Sequence, residues 1–161
     1  MLRNSYTIYT DGSDFKHSKG RRLGIGGVII DNKTEKEISR FGKELNREDI
    51  LRDYNTSECS NPFAEMLAVK TALEIFEELN LRIPAEVIIK SDFQGVQYWM
   101  TGKWEAKAHY IKQVKEEILE ILKKKRNWKV EFTWIKGHQS IMDKDSYFNN
   151  LCDKLAKNGL I

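Results

Sequence analysis

Proline is scarce. Pro62 and Pro84 are the only two in a chain of 161 residues, which excludes a collagenous or proline-rich linker architecture. Cysteine is as rare: Cys59 and Cys152 lack the C-x-x-C or Cys/His spacing of a zinc site or redox pair, so they read as reduced thiols. No run of about 18 apolar residues occurs. Met1-Leu2-Arg3-Asn4-Ser5-Tyr6 opens without a hydrophobic stretch of signal-peptide length, so a cytoplasmic chain with no membrane partner is expected. Internal repeats and low-complexity tracts are also missing.

Hydrophobic residues make up 40% of the chain and aromatics 11%, ample for a core in a length typical of one domain of about 100 to 200 residues. Residues 1–161 are therefore expected to form a single domain, acting as a monomer. The net charge of +3 says little, but its distribution says more. Between Thr101 and Lys136 ten Lys or Arg face five acids, leaving the remainder of the chain slightly acidic. A polyanion bound on one side accounts for such asymmetry, and so does a solvated helix face.

Periodicity gives the order of elements. Tyr6 to Thr10 reads as a strand ending in the carboxylate of Asp11 and the turn signal Asp11-Gly12-Ser13. Leu23 to Ile30 and Ile38 to Leu45 form a hairpin through Asp31-Asn32-Lys33, and the glycines at 24, 26 and 27 serve a bulge or close packing. Asn46 to Ser60 reads as an irregular loop. Asn61-Pro62 marks an N-cap and a first helical residue, with a helix to about Leu79 that places Glu65 in its first turn. Glu86 to Lys90 is a fourth strand, ending at Ser91-Asp92, and Phe93 to Met100 a short helix. Ile111 to Leu122 carries the stripe of a long helix closing in Lys123-Lys124-Lys125-Arg126. Val130 to Ile135 is the fifth strand and Asn149 to Lys157 the terminal helix. This is an α/β fold: a five-stranded mixed sheet, three antiparallel strands then two parallel, with helices on both faces. Right-handed crossovers place strands one, four and five side by side and parallel.

That topology brings Asp11 and Asp92 to one sheet edge, where open α/β sheets bind ligands, and lets Glu65 and Asp153 converge on them. Carboxylates so close would repel unless divalent cations neutralised them. Hard oxygen ligands suit Mg²⁺ or Mn²⁺, and two such ions can clamp the attacking and leaving oxygens of a phosphodiester. Each residue also has a plainer reading. Asp11 is a turn residue, Glu65 favours the helix dipole, Asp92 caps the next helix, Asp153 is one more helical acid, and His138 is a loop histidine.

Taken in order, Ile8-Tyr9-Thr10-Asp11-Gly12-Ser13, Asn61-Pro62-Phe63-Ala64-Glu65-Met66-Leu67-Ala68, Ile89-Lys90-Ser91-Asp92-Phe93-Gln94, Trp134-Ile135-Lys136-Gly137-His138 and Asn149-Asn150-Leu151-Cys152-Asp153-Lys154-Leu155-Ala156 resemble the successive motifs of type 1 ribonuclease H. The resemblance spans nearly the whole chain. It implies the ribonuclease H-like fold and endonucleolytic hydrolysis of the RNA strand of an RNA/DNA hybrid by two Mg²⁺ ions, with Mn²⁺ as alternative, leaving 3′-hydroxyl and 5′-phosphate ends. By the same resemblance Asp11 bridges both ions, Glu65 and Asp92 help hold one, and Asp153 the other. His138 assists proton movement or product release, and Gly12, Ser13, Asn61, Gln94 and Asn149 contact the hybrid.

Three features depart from that pattern. Fourteen residues separate His138 from Asp153, which enlarges the loop carrying the histidine. Pro62 and Phe63 replace a polar pair before the glutamate. The basic protrusion after the third carboxylate shrinks to Thr101-Gly102-Lys103-Trp104-Glu105-Ala106-Lys107, where Lys103, Trp104 and Lys107 either grip the DNA strand or, for Trp104, pack into the core. Two other functions fit less well. A DNA-strand nuclease or resolvase would use the same carboxylates, and a non-catalytic binding module would be expected to lack at least one.

Overall fold

The computed structural model describes residues 4–17, 20–137 and 143–159. In chain order the elements are β1 (Asn4–His17), β2 (Gly20–Asp31), β3 (Lys36–Glu44), α1 (Arg47–Tyr54), α2 (Asn61–Glu78), β4 (Ala85–Ser91), α3 (Gln94–Met100), α4 (His109–Lys124), β5 (Trp128–Trp134) and α5 (Lys144–Asn158). They build one sheet in the order β3-β2-β1-β4-β5. The β1/β2 and β2/β3 pairs are antiparallel, and β1/β4 and β4/β5 are parallel, as the handedness of crossovers demands.

Burial follows position in the sheet. Every residue from Tyr6 to Ser13 of the central β1 is buried, because helices cover both of its faces. In β4 burial alternates, with Ala85, Val87, Ile89 and Ser91 turned inward, the period-two signature of a strand covered more fully on one side. The main core lies between the sheet and α2 and α4, where Phe63, Phe76, Leu73 and Ile118 are fully sequestered. A smaller cluster of Tyr9, Val28, Ile30, Ile135, Cys152 and Leu155 sits under α5 on the opposite face. There α5 rests directly on sheet backbone. A Cβ at Gly26 would lie 2.5 Å from the carbonyl oxygen of Cys152, and one at Gly42 would lie 2.8 Å from that of Leu155. The start of α5 is pinned as well: Tyr9 Oη donates to Asp145 Oδ1 at 2.5 Å, and Lys90 Nζ donates to the same oxygen at 2.9 Å.

Four sequence expectations need correction. β1 does not stop at Asp11 but continues to His17 against β2, because the backbone of Gly12 and Ser13 keeps pairing with Ile25 and Gly24; only its parallel pairing ends at the Thr10/Ser91 step. The segment read as an irregular loop contains α1. Asn46 Oδ1 accepts from the backbone N–H groups of Glu48 and Asp49 at 2.8 and 3.0 Å, and Ile50 and Tyr54 are buried. α2 begins one residue earlier than expected, so Ser60 is its N-cap and Glu65 falls just beyond its first turn. α5 begins at Lys144, capped by Asp143 accepting from Ser146 N at 2.8 Å. Residues 144–152, counted toward an enlarged loop, are therefore helical. Among the described residues no helix is long and apolar enough to cross a membrane.

Candidate active site

Parallel register sets the site. Thr10 of β1 lies opposite Ser91 of β4, so the next residues, Asp11 and Asp92, leave the paired region at the same level. α2 crosses just above. At Gly12 an added Cβ would fall 2.2 Å from the carbonyl carbon of Ala64 and 2.3 Å from Glu65 N, so only a residue without a side chain lets the helix approach β1 this closely. Glu65 thereby reaches Asp11. Asp11, Glu65 and Asp92 each offer a carboxylate oxygen, and these oxygens lie within 4.8 Å of one another.

Each carboxylate is oriented by a hydrogen bond. The backbone N–H of Gly12 donates to Glu65 Oε1 at 3.0 Å and to Asp11 Oδ1 at 3.0 Å. Ser91 Oγ donates to Glu65 Oε2 at 3.1 Å while accepting from Phe93 N at 3.1 Å. Asn149 Nδ2 donates to Asp92 Oδ2 at 3.3 Å, and Trp134 Nε1 donates to the Asp92 carbonyl at 3.1 Å. A Cβ at Gly137 would lie 2.8 Å from Asp92 Oδ2, so the exit from β5 passes against the same carboxylate. Sequence reasoning does not single out Ser91, Trp134 or Gly137 as functional positions. Of these, only the Ser-Asp pair at a strand end carried a readable cue, the local turn that a serine hydroxyl makes with the amide two residues on.

Asp11 is 5% exposed and Glu65 4%, and neither forms an ion pair with Lys or Arg among the described residues. Burial, followed by repulsion from Glu65, raises the Asp11 carboxyl far above the ordinary carboxylate range. Burial raises Glu65 as well. Two buried carboxylates with no cation beside them cannot both stay charged. The pair thus either keeps a proton or takes up a positive ion, and all-oxygen donors match the chemistry of Mg²⁺ or Mn²⁺.

The remaining expected residues sit around this centre. Asp153 does not join the close trio. It is half-buried on α5, its Oδ2 accepts from Lys157 Nζ at 3.1 Å, and its charge contributes to raising Asp11. Ser13 is buried on β1 beside Gly12. Asn61 opens α2, its Oδ1 accepting from Asp14 N at 2.7 Å, and Gln94 opens α3 at the surface. Asn149 is 2% exposed, behind Asp92. Lys103, Trp104 and Lys107 line one groove between α3 and α4. Trp104 is 42% exposed, packing an edge on Tyr98 and Trp99, and Lys103 Nζ lies 4.3 Å from the Tyr98 ring centre; the tryptophan is a surface residue with a packed edge. His138 lies outside the described residues.

Comparison with known proteins accords with this arrangement. A family model described as RNase H matches residues 3–161. A protein of Actinobacillus pleuropneumoniae serotype 5b (strain L20) named Ribonuclease H is 29% identical over 161 residues, covering 94% of this chain and 88% of the relative. One of the same name from Chlorobaculum parvum is 27% identical over 161 residues, covering 97% and 95%. Among solved structures, LC11-RNase H1, isolated from compost by a metagenomic approach and crystallised in complex with RNA/DNA hybrid, superposes with a TM-score of 0.69 at 22% identity, covering 94% of this chain and 96% of that one.

Proposed function

Because this chain belongs to the RNase H family and is by that membership a nuclease, a hydrolase of phosphodiester bonds, we propose that it cleaves the RNA strand of RNA/DNA hybrids endonucleolytically, with 3′-hydroxyl and 5′-phosphate products. One observation carries this reading: three carboxylates meet within 4.8 Å, and the two most buried have no ion-pair partner among the described residues. The hybrid-bound state of LC11-RNase H1, a protein of the same fold, supports the choice of substrate.

Asp11, Glu65 and Asp92 offer an all-oxygen donor set suited to Mg²⁺ or Mn²⁺, and together with Asp153 on α5 they would hold two such ions. Such ions supply Lewis-acid activation of water and stabilise charge on the attacking and leaving oxygens. The protein's own part is to fix the ligands. Gly12 N and Ser91 Oγ hold the two oxygens of Glu65, and Asn149 holds Asp92 from behind. Asn61 and Gln94, exposed at the starts of α2 and α3, face the RNA strand near the carboxylates, where contact with the 2′-hydroxyl distinguishes RNA from DNA. Gly12 and Ser13, buried on β1, serve the hybrid through the carboxylates beside them. Asn149, being buried, serves the hybrid through Asp92. Lys103, Trp104 and Lys107 grip the DNA strand, the cations on phosphate and the exposed ring against sugar or base. His138 assists proton movement or product release. The same reading takes residues 1–161 as one catalytic domain working as a cytoplasmic monomer.

The test is a panel of matched RNA/DNA, RNA/RNA and DNA/DNA duplexes incubated with the protein and Mg²⁺. The expected result is cleavage of the hybrid alone, in its RNA strand. Cutting of DNA/DNA, or equal cutting of all three, would overturn the assignment.

A further inference from the structure

At the opposite end of the parallel strands lies a second charged feature. A cavity of about 430 Å³ opens between the α2–β4 connection and the C-terminus of α4, with Phe76, Ala85 and Trp128 among its lining residues. Its rim is basic: Arg82 stands on one wall, Lys124, Lys125 and Arg126 on the other, and Glu77 is the only acid among the described residues that line it. Glu77 is already engaged, its Oε2 lying 3.4 Å from Lys125 Nζ, and Lys125 also lies 5.7 Å from the Trp128 ring centre. Arg82, Lys124 and Arg126 are exposed and form no ion pair among the described residues.

Cations at the end of α4 complement its dipole, but that accounts for one wall only. Arg82 comes from a different element and meets them across the opening, leaving an excess of positive charge over the single acid. We propose that this cavity is a second nucleic-acid site, taking the phosphodiester backbone of a single strand. Its volume suits about one nucleotide unit of the size range of ligand pockets, and a duplex is too broad to enter. Ala85 at the cavity and Ser91 at the carboxylates bound β4, so the two sites are separated by about 20 Å at roughly 3.3 Å per strand residue. A flexible single-stranded flank can span that distance and add a second point of attachment; a blunt hybrid has no such flank to offer.

The experiment measures binding of fluorescent dT12, a strand the protein is not expected to cut, to the full chain by anisotropy across a salt series. Lys124→Gln with Arg126→Gln, and separately Arg82→Gln on the facing wall, should weaken binding, the double variant about tenfold. The double variant should also lower the slope of log K against log salt by about 1.4, the value for two single-strand phosphates that are no longer neutralised. Its turnover of a 12-base-pair blunt hybrid should match the parent. Unchanged dT12 binding in both variants would overturn the proposal, as would an equal loss of hybrid turnover, which would place these cations on the substrate face. Complete displacement of dT12 by millimolar AMP would assign the cavity to free phosphate monoesters and also overturn it. The dT12 reading does not depend on cleavage, so failure of the nuclease assignment would show in the duplex panel and not here.

Discussion

The side-chain amide of Asn149 donates to Oδ2 of Asp92 at 3.3 Å, which ties the helix bearing Asp153 to the carboxylate at the end of β4. The asparagine is buried, and its own Oδ1 finds no hydrogen bond among the described residues. Asn149 therefore holds a ligand of the proposed ions in place. Groups of this kind typically contribute about 10- to 100-fold in metal affinity or activity. Asn149→Ala should raise the Mg²⁺ concentration for half-maximal cleavage by about that factor. Asn149→Asp, which sets a like charge beside Asp92, should do worse. A Mg²⁺ titration of initial rates checks both, and an unchanged midpoint would remove the role.

Asp11→Asn replaces a carboxyl that burial forces to hold a proton when no cation is bound, and it leaves the side-chain volume nearly unchanged. Hybrid cleavage should fall by at least about a thousandfold, in keeping with losses seen when a group acting as part of a catalytic unit is removed. In metal-free buffer the variant should be the more stable protein, by on the order of 1 kcal/mol or about 2 to 4 °C for a chain of this length. Single-turnover rates and thermal melts with EDTA test the two halves. Cleavage near the parent rate would refute the catalytic assignment.

The raised carboxyls also set a pH dependence. A carboxyl whose folded-state pKa is raised keeps its proton in the folded chain after the unfolded chain has released it. Its stabilisation is complete below the unfolded value, 3.8 for Asp11, and fades as pH climbs toward the folded one. EDTA-treated protein should therefore melt lower at pH 8 than at pH 5. Added Mg²⁺ should raise the melting temperature more at pH 8, because binding at low pH must first expel protons. Asp11→Asn should flatten both trends. A metal-free protein that gains stability through this window would contradict the repulsion between Asp11 and Glu65.

Gly12→Ala tests the seating of α2. The new Cβ would meet backbone atoms of Ala64 and Glu65 at 2.2 and 2.3 Å, which no side-chain rotation relieves. The cost should reach the upper end of the usual overpacking range, about 3 kcal/mol. Urea unfolding measures it, and a loss well under about 1 kcal/mol would mean that α2 can lift freely off β1.

Lys103→Gln with Lys107→Gln should raise KM for the hybrid with little change in kcat, and should flatten the salt dependence by about 0.9 for each duplex phosphate that is no longer neutralised. An unaltered slope would return this groove to the status of an ordinary solvated surface.

Much of this molecule is legible in its sequence. The strand order follows from chirality, and the approach of Asp11 to Asp92 follows from the strand order, because both depend only on chain direction and element type. α1 is not legible: its apolar contribution is Ile50 and Tyr54 alone, too few for a helical stripe, and its plainest sign is Asn46 followed by the acids Glu48 and Asp49. The extension of β1 past Asp11 is hidden because Asp-Gly-Ser is a turn sequence locally, while pairing with β2 decides otherwise. The half-buried setting of Asp153 and the buried one of Asn149 depend on how α5 docks, which is a tertiary fact that periodicity does not encode.

Gly26 and Gly42 make that docking a matter of what is missing from two α-carbons. Because α5 rests on them, a methyl group at either place would act as a shim under the helix, tilting the last acid of the site out of line while every chemically active side chain stayed intact. Variation at these two distant, inert positions could thus silence the molecule as surely as loss of a carboxylate, and a search confined to polar residues would never find the cause.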